Sequence, residues 1–224
     1  MKKYIFLIAI AFIAFTAFVP QKKTKVIFFG DSITELGVKE KPYKGYVLKL
    51  DSLCKAENKG GQFEFAGAGV SGNKVYDLYL RMEEDVLSKN PDVVVIYVGV
   101  NDVWHKSLLG TGTDPDKFEK FYQAILKRLK EKNIKAILCT PAVVGEKTDF
   151  SNQLDGDLNR YSNIIRDIAK KNNLGLVDLR KKFLDYNKTH NPNNEEKNIL
   201  TYDRVHLNEM GNKLVAEAMW EAVK

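Results

Sequence analysis

Short apolar runs alternate along the chain with stretches in which apolar residues recur every three or four positions. Continuous runs are typical of strands buried on both faces, and the three-and-four spacing is typical of amphipathic helices. The runs predict five strands, at 25–29, 62–66, 92–98, 134–140 and 174–179. The other stretches predict helices at 44–56, 77–87, 114–131, 154–171, 181–187 and 208–223.

The alternation of these elements indicates a topology built from strand–helix–strand units, because parallel strands need a crossover connection between them. We therefore expect an α/β fold, a three-layer α/β/α sandwich around a five-stranded parallel sheet. No internal repeat and no second apolar core stand out, so one domain over 24–224 is predicted. Glycine-rich or polar stretches at about 104–113 and 143–152 are predicted to be loops.

The first twenty residues have a different pattern. Met1-Lys2-Lys3 is basic, and Tyr4 to Val19 is apolar except for Thr16. A basic start and an apolar run indicate an export segment. Phe15-Thr16-Ala17 lacks the small-x-small cleavage pattern, so cleavage as a signal peptide and retention as an N-terminal membrane anchor both stay open. In either case we expect the domain to be exported, periplasmic or secreted, with no other contact to a membrane.

Composition narrows the function classes. The 224 residues carry a formal net charge of +6, but the lysines are spread along helical segments, which indicates a solvated surface and no nucleic-acid partner. Cys54 and Cys139 are expected in or near the core, and their pairing is left open. No cluster of histidines, cysteines and carboxylates has ligand spacing, so neither a metal nor a cofactor is predicted. The pattern does not indicate an oligomeric state.

Four polar blocks carry candidate chemistry. Three follow the first three predicted strands, where a parallel sheet brings loops to one edge. The fourth precedes the last helix. A serine hydroxyl in the first block needs a base within about 2.6–3.2 Å, and a histidine oriented by a carboxylate supplies one. The blocks are Gly30-Asp31-Ser32-Ile33, Gly69-Val70-Ser71-Gly72-Asn73, Gly99-Val100-Asn101-Asp102 and Asp203-Arg204-Val205-His206.

These four blocks, in this order, resemble those of the SGNH (GDSL-type) hydrolase family. The resemblance implies that Ser32 is the nucleophile and that Asp203 and His206 complete a catalytic triad. It implies an oxyanion hole formed by Ser32, Gly72 and Asn101. It also implies a flavodoxin-like fold with five parallel strands, in agreement with the pattern above.

Two positions near these blocks have alternative interpretations. Gly69 is the nearest rival of Gly72 as an oxyanion-hole residue. His105 follows Asn101 closely, and either lines the pocket or has no role in it. Asp31 and Asp102 are expected to fix their turns and are given no catalytic role.

The expected function is a serine esterase that hydrolyses short-chain acyl or acetyl esters through an acyl-enzyme on Ser32. Its partner is a small-molecule or carbohydrate ester, and a carbohydrate O-acetylesterase fits an exported protein. The loops at 104–113 and 143–152 are expected to shape the acyl pocket. Two alternatives stay open: an acyl hydrolase of the lysophospholipase or thioesterase type, and a non-catalytic exported module that binds glycans.

Overall fold

The protein is described by a computed structural model that covers residues 22–224. Its centre is a five-stranded sheet in the order β2-β1-β3-β4-β5, with every neighbouring pair parallel. This order places β1 and β3 side by side at the middle of the sheet. The strands are β1 (Thr24–Gly30), β2 (Phe63–Gly69), β3 (Val93–Tyr97), β4 (Lys135–Cys139) and β5 (Gly175–Val177).

Helices cover both faces of this sheet, as the predicted three-layer α/β/α sandwich requires. On one face α2 packs against α8, and on the other α3, α5 and α6 pack in series. The helices are α1 (Ser32–Gly37), α2 (Tyr46–Ala56), α3 (Val75–Asp85), α4 (Val100–Leu109), α5 (Pro115–Glu131), α6 (Asp155–Lys171), α7 (Leu179–His190) and α8 (Glu209–Val223), with a short 3₁₀ helix at Leu87–Lys89.

The core is continuous through the two central strands. Val26 to Phe29 of β1 and all five residues of β3 are buried, as continuous apolar runs predict. Cys54 and Cys139 are both buried as free thiols, which answers the open question of their pairing. The large aromatic side chains Tyr46, Tyr97 and Trp220 are almost fully buried in the same core.

The prediction of a loop from about Trp104 to Thr113 is wrong over most of its length. Helix α4 continues to Leu109 and ends at Gly110, whose φ of +69° suits glycine. Its apolar periodicity is hidden because Asn101 and Asp102 lie on the buried side, while Leu108 and Leu109 are exposed. The short helix α1, which begins at Ser32, was not predicted either. The other predicted elements are confirmed with shifts at their ends.

The predicted export segment at 1–20 lies outside the described residues. Within 22–224, no helix combines the length and the apolar character needed to cross a membrane.

Candidate active site

Ser32, His206 and Asp203 form a continuous hydrogen-bonded series. The Oγ atom of Ser32 lies 2.9 Å from Nε2 of His206, and Nδ1 of the same ring lies 2.7 Å from Oδ2 of Asp203. Ser32 comes from the turn after β1, and the other two residues come from the loop before α8. The structure therefore brings together the three residues that the sequence indicated.

The loop that carries the histidine and the aspartate is closed at its base by an antiparallel bridge between Thr201 and Leu207. Inside it, the N–H of Tyr202 donates to the carbonyl of His206 at 3.0 Å, and the two rings stack with centroids 5.9 Å apart. The backbone of His206 and its imidazole ring are thus both held by Tyr202. Such restraint keeps the ring aimed at the serine.

Asp203 is held as a carboxylate. Its Oδ1 atom accepts the backbone N–H groups of His206 at 2.7 Å and of Val205 at 3.1 Å. Partial burial acts to raise the pKa of Asp203, but these bonds and the bond to the His206 ring outweigh burial and lower the pKa below its usual range. A charged carboxylate on Nδ1 stabilises an imidazolium that forms when the serine loses its proton.

Three residues of the first three blocks carry N–H groups that have no protein acceptor or keep one free hydrogen. Ser32 is the first residue of α1, so its N–H has no acceptor within the helix. Gly72 has a φ of +77°, and in the described part of the chain no protein acceptor takes its N–H. Asn101 is buried at the start of α4, where its Nδ2 donates to the carbonyl of Asn73 at 3.1 Å and keeps a second hydrogen for another acceptor.

The structure separates Gly72 from its rival Gly69. A Cβ atom on Gly69 would lie 2.1 Å from the backbone nitrogen of Glu35 and 2.7 Å from the carbonyl oxygen of Asp31. Gly69 therefore permits the close approach of β2 to α1. A Cβ atom on Gly72 would meet only Cε1 of His105, at 3.9 Å. Gly72 lies on the open side of the loop, which favours it as the donor residue.

Asp102 holds the end of the loop that contains Gly72 through its hydrogen bonds to Val75. Its carboxylate is fully buried and accepts the N–H of Val75 at 3.2 and 3.3 Å, which ties the start of α3 to the start of α4. Asp31 plays a similar part as the cap of α1, where it accepts the N–H of Ile33 at 3.0 Å. Burial raises the pKa of each carboxyl group to about 7.

Arg81 on α3 was not singled out from the sequence, yet it links three segments at the site. Its guanidinium donates to the carbonyls of Gly30 at 2.7 Å and Ala68 at 3.0 Å, near the ends of β1 and β2. A further bond of 2.6 Å runs from Nε to Oδ1 of Asn73. The planar group lies over the ring of Phe29 at 4.6 Å. It thus sets the spacing between the serine turn and the Gly72 loop.

Glu146 is a second positioning residue that sequence reasoning missed. The side chain is almost completely buried, and its carboxylate accepts the backbone N–H groups of Ile199, Leu200 and Thr201 at 3.0, 2.7 and 3.1 Å. These residues lead directly into the loop that carries Asp203. No local sequence pattern predicts this contact, because its two partners are more than fifty residues apart in sequence.

His105 lies beside Gly72, which supports the first of its two interpretations, a residue that lines the pocket. Burial, and then the positive charge of Lys74, lower the pKa of His105 below its usual value. Both effects favour the neutral form of the ring. Among residues 22–224, the structure assembles no group of three or more side chains that could hold a metal ion.

A parallel α/β sandwich whose carboxyl edge presents a serine, a histidine and an aspartate in hydrogen-bonded series, beside free N–H donors, has the architecture of a serine hydrolase. The model of the GDSL-like lipase/acylhydrolase family matches residues 28–214. The chain belongs to this family and is a carboxylic ester hydrolase of the SGNH type, as the sequence resemblance implied.

Solved and curated relatives agree with this assignment. A crystal structure of an acetyl xylan esterase is 62% identical, with a TM-score of 0.86, and the match covers 89% of this chain and 100% of that one. An acetylxylan esterase of Geobacillus stearothermophilus is 31% identical over 208 residues, 87% of this chain and 91% of that protein. A lipoprotein of Bacillus subtilis (strain 168), itself uncharacterized, is 26% identical over 181 residues, 71% of this chain and 72% of that protein.

Crystal structures described as catalytic mutants of the Geobacillus enzyme have a serine, an aspartate or a histidine replaced by alanine. They are 28% identical to this chain, with TM-scores of 0.79 for the serine and aspartate mutants and 0.78 for the histidine mutant. In that enzyme the aspartate precedes the histidine by three positions. Asp203 and His206 have the same order and spacing.

Proposed function

We propose that the protein is a carbohydrate O-acetylesterase that removes acetyl groups from xylan or its oligosaccharides through an acyl-enzyme on Ser32. The observation that carries the proposal is the series Ser32–His206–Asp203, with distances of 2.9 and 2.7 Å, in a chain 62% identical to an acetyl xylan esterase. The match covers all of that relative's chain and 89% of this one, which supports a shared activity.

In this proposal Nε2 of His206 takes the proton of the Ser32 hydroxyl as Oγ attacks the acetyl carbonyl. The carbonyl oxygen gains negative charge and accepts hydrogen bonds from the N–H groups of Ser32 and Gly72 and from the amide of Asn101. Preorganised donors of this kind each contribute about 2.7–4 kcal/mol to transition-state stabilisation. The free hydrogen of Nδ2 on Asn101 supports this role.

Collapse of the tetrahedral species breaks the bond to the sugar oxygen, which leaves as an alcohol with the proton from His206. The acetyl group is then bound as an ester to Oγ of Ser32. A water molecule gives a proton to the same imidazole, and its oxygen attacks the acetyl carbonyl. Collapse of this second tetrahedral species breaks the bond to Oγ of Ser32, which takes the proton back from His206, and acetic acid is released. The carboxylate of Asp203 faces the charged ring in both half-reactions. The balance is one ester and one water to one acid and one alcohol.

Replacement of Ser32 tests the proposal directly. We expect Ser32→Ala to lower kcat on acetylated xylan and on p-nitrophenyl acetate by at least about 10³-fold, since the nucleophile is lost. Ser88→Ala, at an exposed site, is the matched control and is expected to keep wild-type turnover. Turnover by Ser32→Ala equal to that of the control would overturn the assignment.

The two alternatives need separate measurements. A series of esters from acetyl to palmitoyl distinguishes an acetylesterase from an acyl hydrolase of the lysophospholipase or thioesterase type, which would prefer the long chains. Covalent labelling by an organophosphonate distinguishes an enzyme from a non-catalytic glycan-binding module. We expect labelling at Ser32 in the folded protein and none in Ser32→Ala.

We also propose that residues 1–20 direct export and that 24–224 form the hydrolase domain. The basic start and the apolar run support export, and one relative is named a lipoprotein. Leu7→Arg places a charge within the apolar run, so we expect the full chain to stay in the cytoplasmic fraction of a bacterial host. Gln21→Arg, outside the run, is the control. Equal export of both variants would contradict the proposal.

A further inference from the structure

A polar cavity of about 320 Å³ lies between α4 and the loop at 143–152. We name it the α4 cavity. Its size is at the lower end of the range of small-molecule sites, about 300–1,000 Å³. The residues that line it and carry the argument are Trp104, Lys147, Gln153, Glu196 and Arg204.

The α4 cavity is joined to the catalytic loop. Arg204 lies between Asp203 and His206 in sequence, and its carbonyl accepts the N–H of Gly145 from the facing loop at 2.9 Å. On the other wall, the ring of Trp104 packs against His105 with centroids 5.4 Å apart. The same His105 ring approaches the open face of Gly72. The cavity is therefore connected to the loop of Asp203 and His206 through Arg204, and to Gly72 through Trp104 and His105.

The lining suits a sugar better than an acyl chain. Most of the lining side chains are polar, and Nε of Arg204 is fixed by Glu196 at 2.9 Å. A hydrocarbon chain would cover these groups without giving them hydrogen bonds, at a cost of about 1–3 kcal/mol for each unsatisfied group. Trp104 adds one flat apolar surface among them. Sugar rings offer apolar C–H faces surrounded by hydroxyl groups, which is the complementary pattern.

Left-handed backbone occurs at one lining residue of the cavity and directly before another. Arg204 has a φ of +86°, and Phe150, directly before the lining residue Ser151, has a φ of +67° and is 93% exposed. Left-handed backbone is costly for residues with side chains, by about 1–2 kcal/mol, and it gathers at functional sites. An exposed phenyl ring gains no burial in return. This exposure leaves the ring accessible to a bound polymer.

We propose that the α4 cavity binds the uncharged sugar units of the main chain next to the acetylated unit, with Trp104 as the stacking surface and Arg204 and Gln153 as hydrogen-bond donors. This inference rests on the proposed function and adds the subsite that determines specificity for a carbohydrate. It also changes the expectation for the segments at 104–113 and 143–152, from an acyl pocket to a sugar subsite.

The kinetic test compares two substrates of different size. Trp104→Ala and Gln153→Ala are assayed with acetylated xylo-oligosaccharides and with p-nitrophenyl acetate, which is too small to fill the cavity. We expect the ratio of kcat/KM for the oligosaccharide to that for p-nitrophenyl acetate to fall at least about tenfold in Trp104→Ala and threefold in Gln153→Ala, mainly through KM. Tyr186→Ala, a partly exposed aromatic on α7, is the control and keeps the ratio.

A binding measurement separates this inference from the proposed function. Calorimetry with unacetylated xylo-oligosaccharide measures the subsite without catalysis, and we expect binding by Ser32→Ala and at least about tenfold weaker binding by the double variant with Trp104→Ala. An unchanged ratio and unchanged binding in the Trp104 variants would overturn the subsite. If the wild type cleaves p-nitrophenyl acetate but no acetylated oligosaccharide, the proposed function fails, and calorimetry still decides whether the cavity binds sugar.

Discussion

The carboxylate of Glu146 accepts the backbone N–H of Leu200 at 2.7 Å, across 54 residues of sequence. The same side chain accepts the N–H groups of Ile199 and Thr201. Thr201 forms one side of the bridge that closes the loop of Asp203 and His206. A single buried carboxylate thus anchors the segment that leads into the loop of Asp203 and His206.

Glu146→Gln is expected to weaken this anchor. The amide keeps one acceptor oxygen but turns an NH₂ group toward backbone donors, and each buried donor left without an acceptor costs about 1–3 kcal/mol. We expect a lower free energy of unfolding in urea and a lower kcat on p-nitrophenyl acetate. Glu195→Gln, on an exposed residue of the adjoining loop, is the control. Equal stability of both variants would show that Glu146 does not hold the loop.

Asp102→Asn is expected to change how stability depends on pH. Burial raises the pKa of Asp102 in the folded protein to about 7, from an ordinary value of 3.8. Between these values the unfolded chain loses this proton while the folded protein keeps it, so the wild type loses stability as the pH rises. Asparagine cannot ionise. The variant should therefore gain about 2–4 kcal/mol relative to the wild type between pH 4 and pH 8.

Urea unfolding of both proteins across this pH range measures that difference. Asp157→Asn, on the exposed face of α6, is the control for loss of a carboxylate that is not buried. Parallel curves for Asp102→Asn and the wild type would mean that the buried carboxyl group does not resist ionisation.

Alanine substitutions at the two glycines of the second block should have different effects. Gly69→Ala forces a Cβ into the backbone of α1, so we expect a loss of about 3 kcal/mol or more in unfolding free energy. Gly72→Ala has room for its Cβ but a φ of +77°, at a cost of about 1–2 kcal/mol. Thermal unfolding and kcat are measured together. Gly72→Ala should fold, and its kcat should fall about tenfold or more because relaxation of the backbone moves a donor.

The reverse order of stabilities would contradict this assignment. If Gly69→Ala were the more stable protein and lost activity more strongly, the oxyanion donor would belong to Gly69.

Asn101→Ala is expected to act mainly on catalysis. Loss of one oxyanion donor lowers kcat by about 10²–10³-fold with little change in KM, since the bond forms fully only in the transition state. The lost bond to the carbonyl of Asn73 should cost only about 1 kcal/mol of stability. Asn163→Ala, on the exposed side of α6, is the control. A rise in KM at constant kcat would indicate substrate binding instead.

The pattern of apolar residues was sufficient to predict the strands of the sheet and most of the helices. The runs at β1 and β3 are buried on both faces, so their pattern has one interpretation. Helix α4 was not predicted, because its buried side carries Asn101 and Asp102 and its exposed side carries Leu108. Its buried side therefore combines two polar residues with Val100 and Val103 and has no clear apolar pattern.

The sequence predicted those residues of the candidate site that lie in the polar blocks after strand ends or before the last helix. Ser32, Asp203 and His206 were proposed from order and chemistry, and the structure places them within hydrogen-bond distance, while their roles stay a prediction. Arg81 and Glu146 could not be found in this way. Their bonds join segments far apart in the chain, and an arginine or a glutamate in a polar stretch is usually on a solvated surface.

The hydroxyl of Ser32 and the ring of His206 are 174 residues apart in sequence. If Ser32 and His206 act as proposed, the base reaches the nucleophile only after almost the whole polypeptide has been synthesised and the segment before α8 has taken its place. A partly translated polypeptide would then carry the serine without its activator. The order in which the chain is made would thus keep an unfinished molecule inactive.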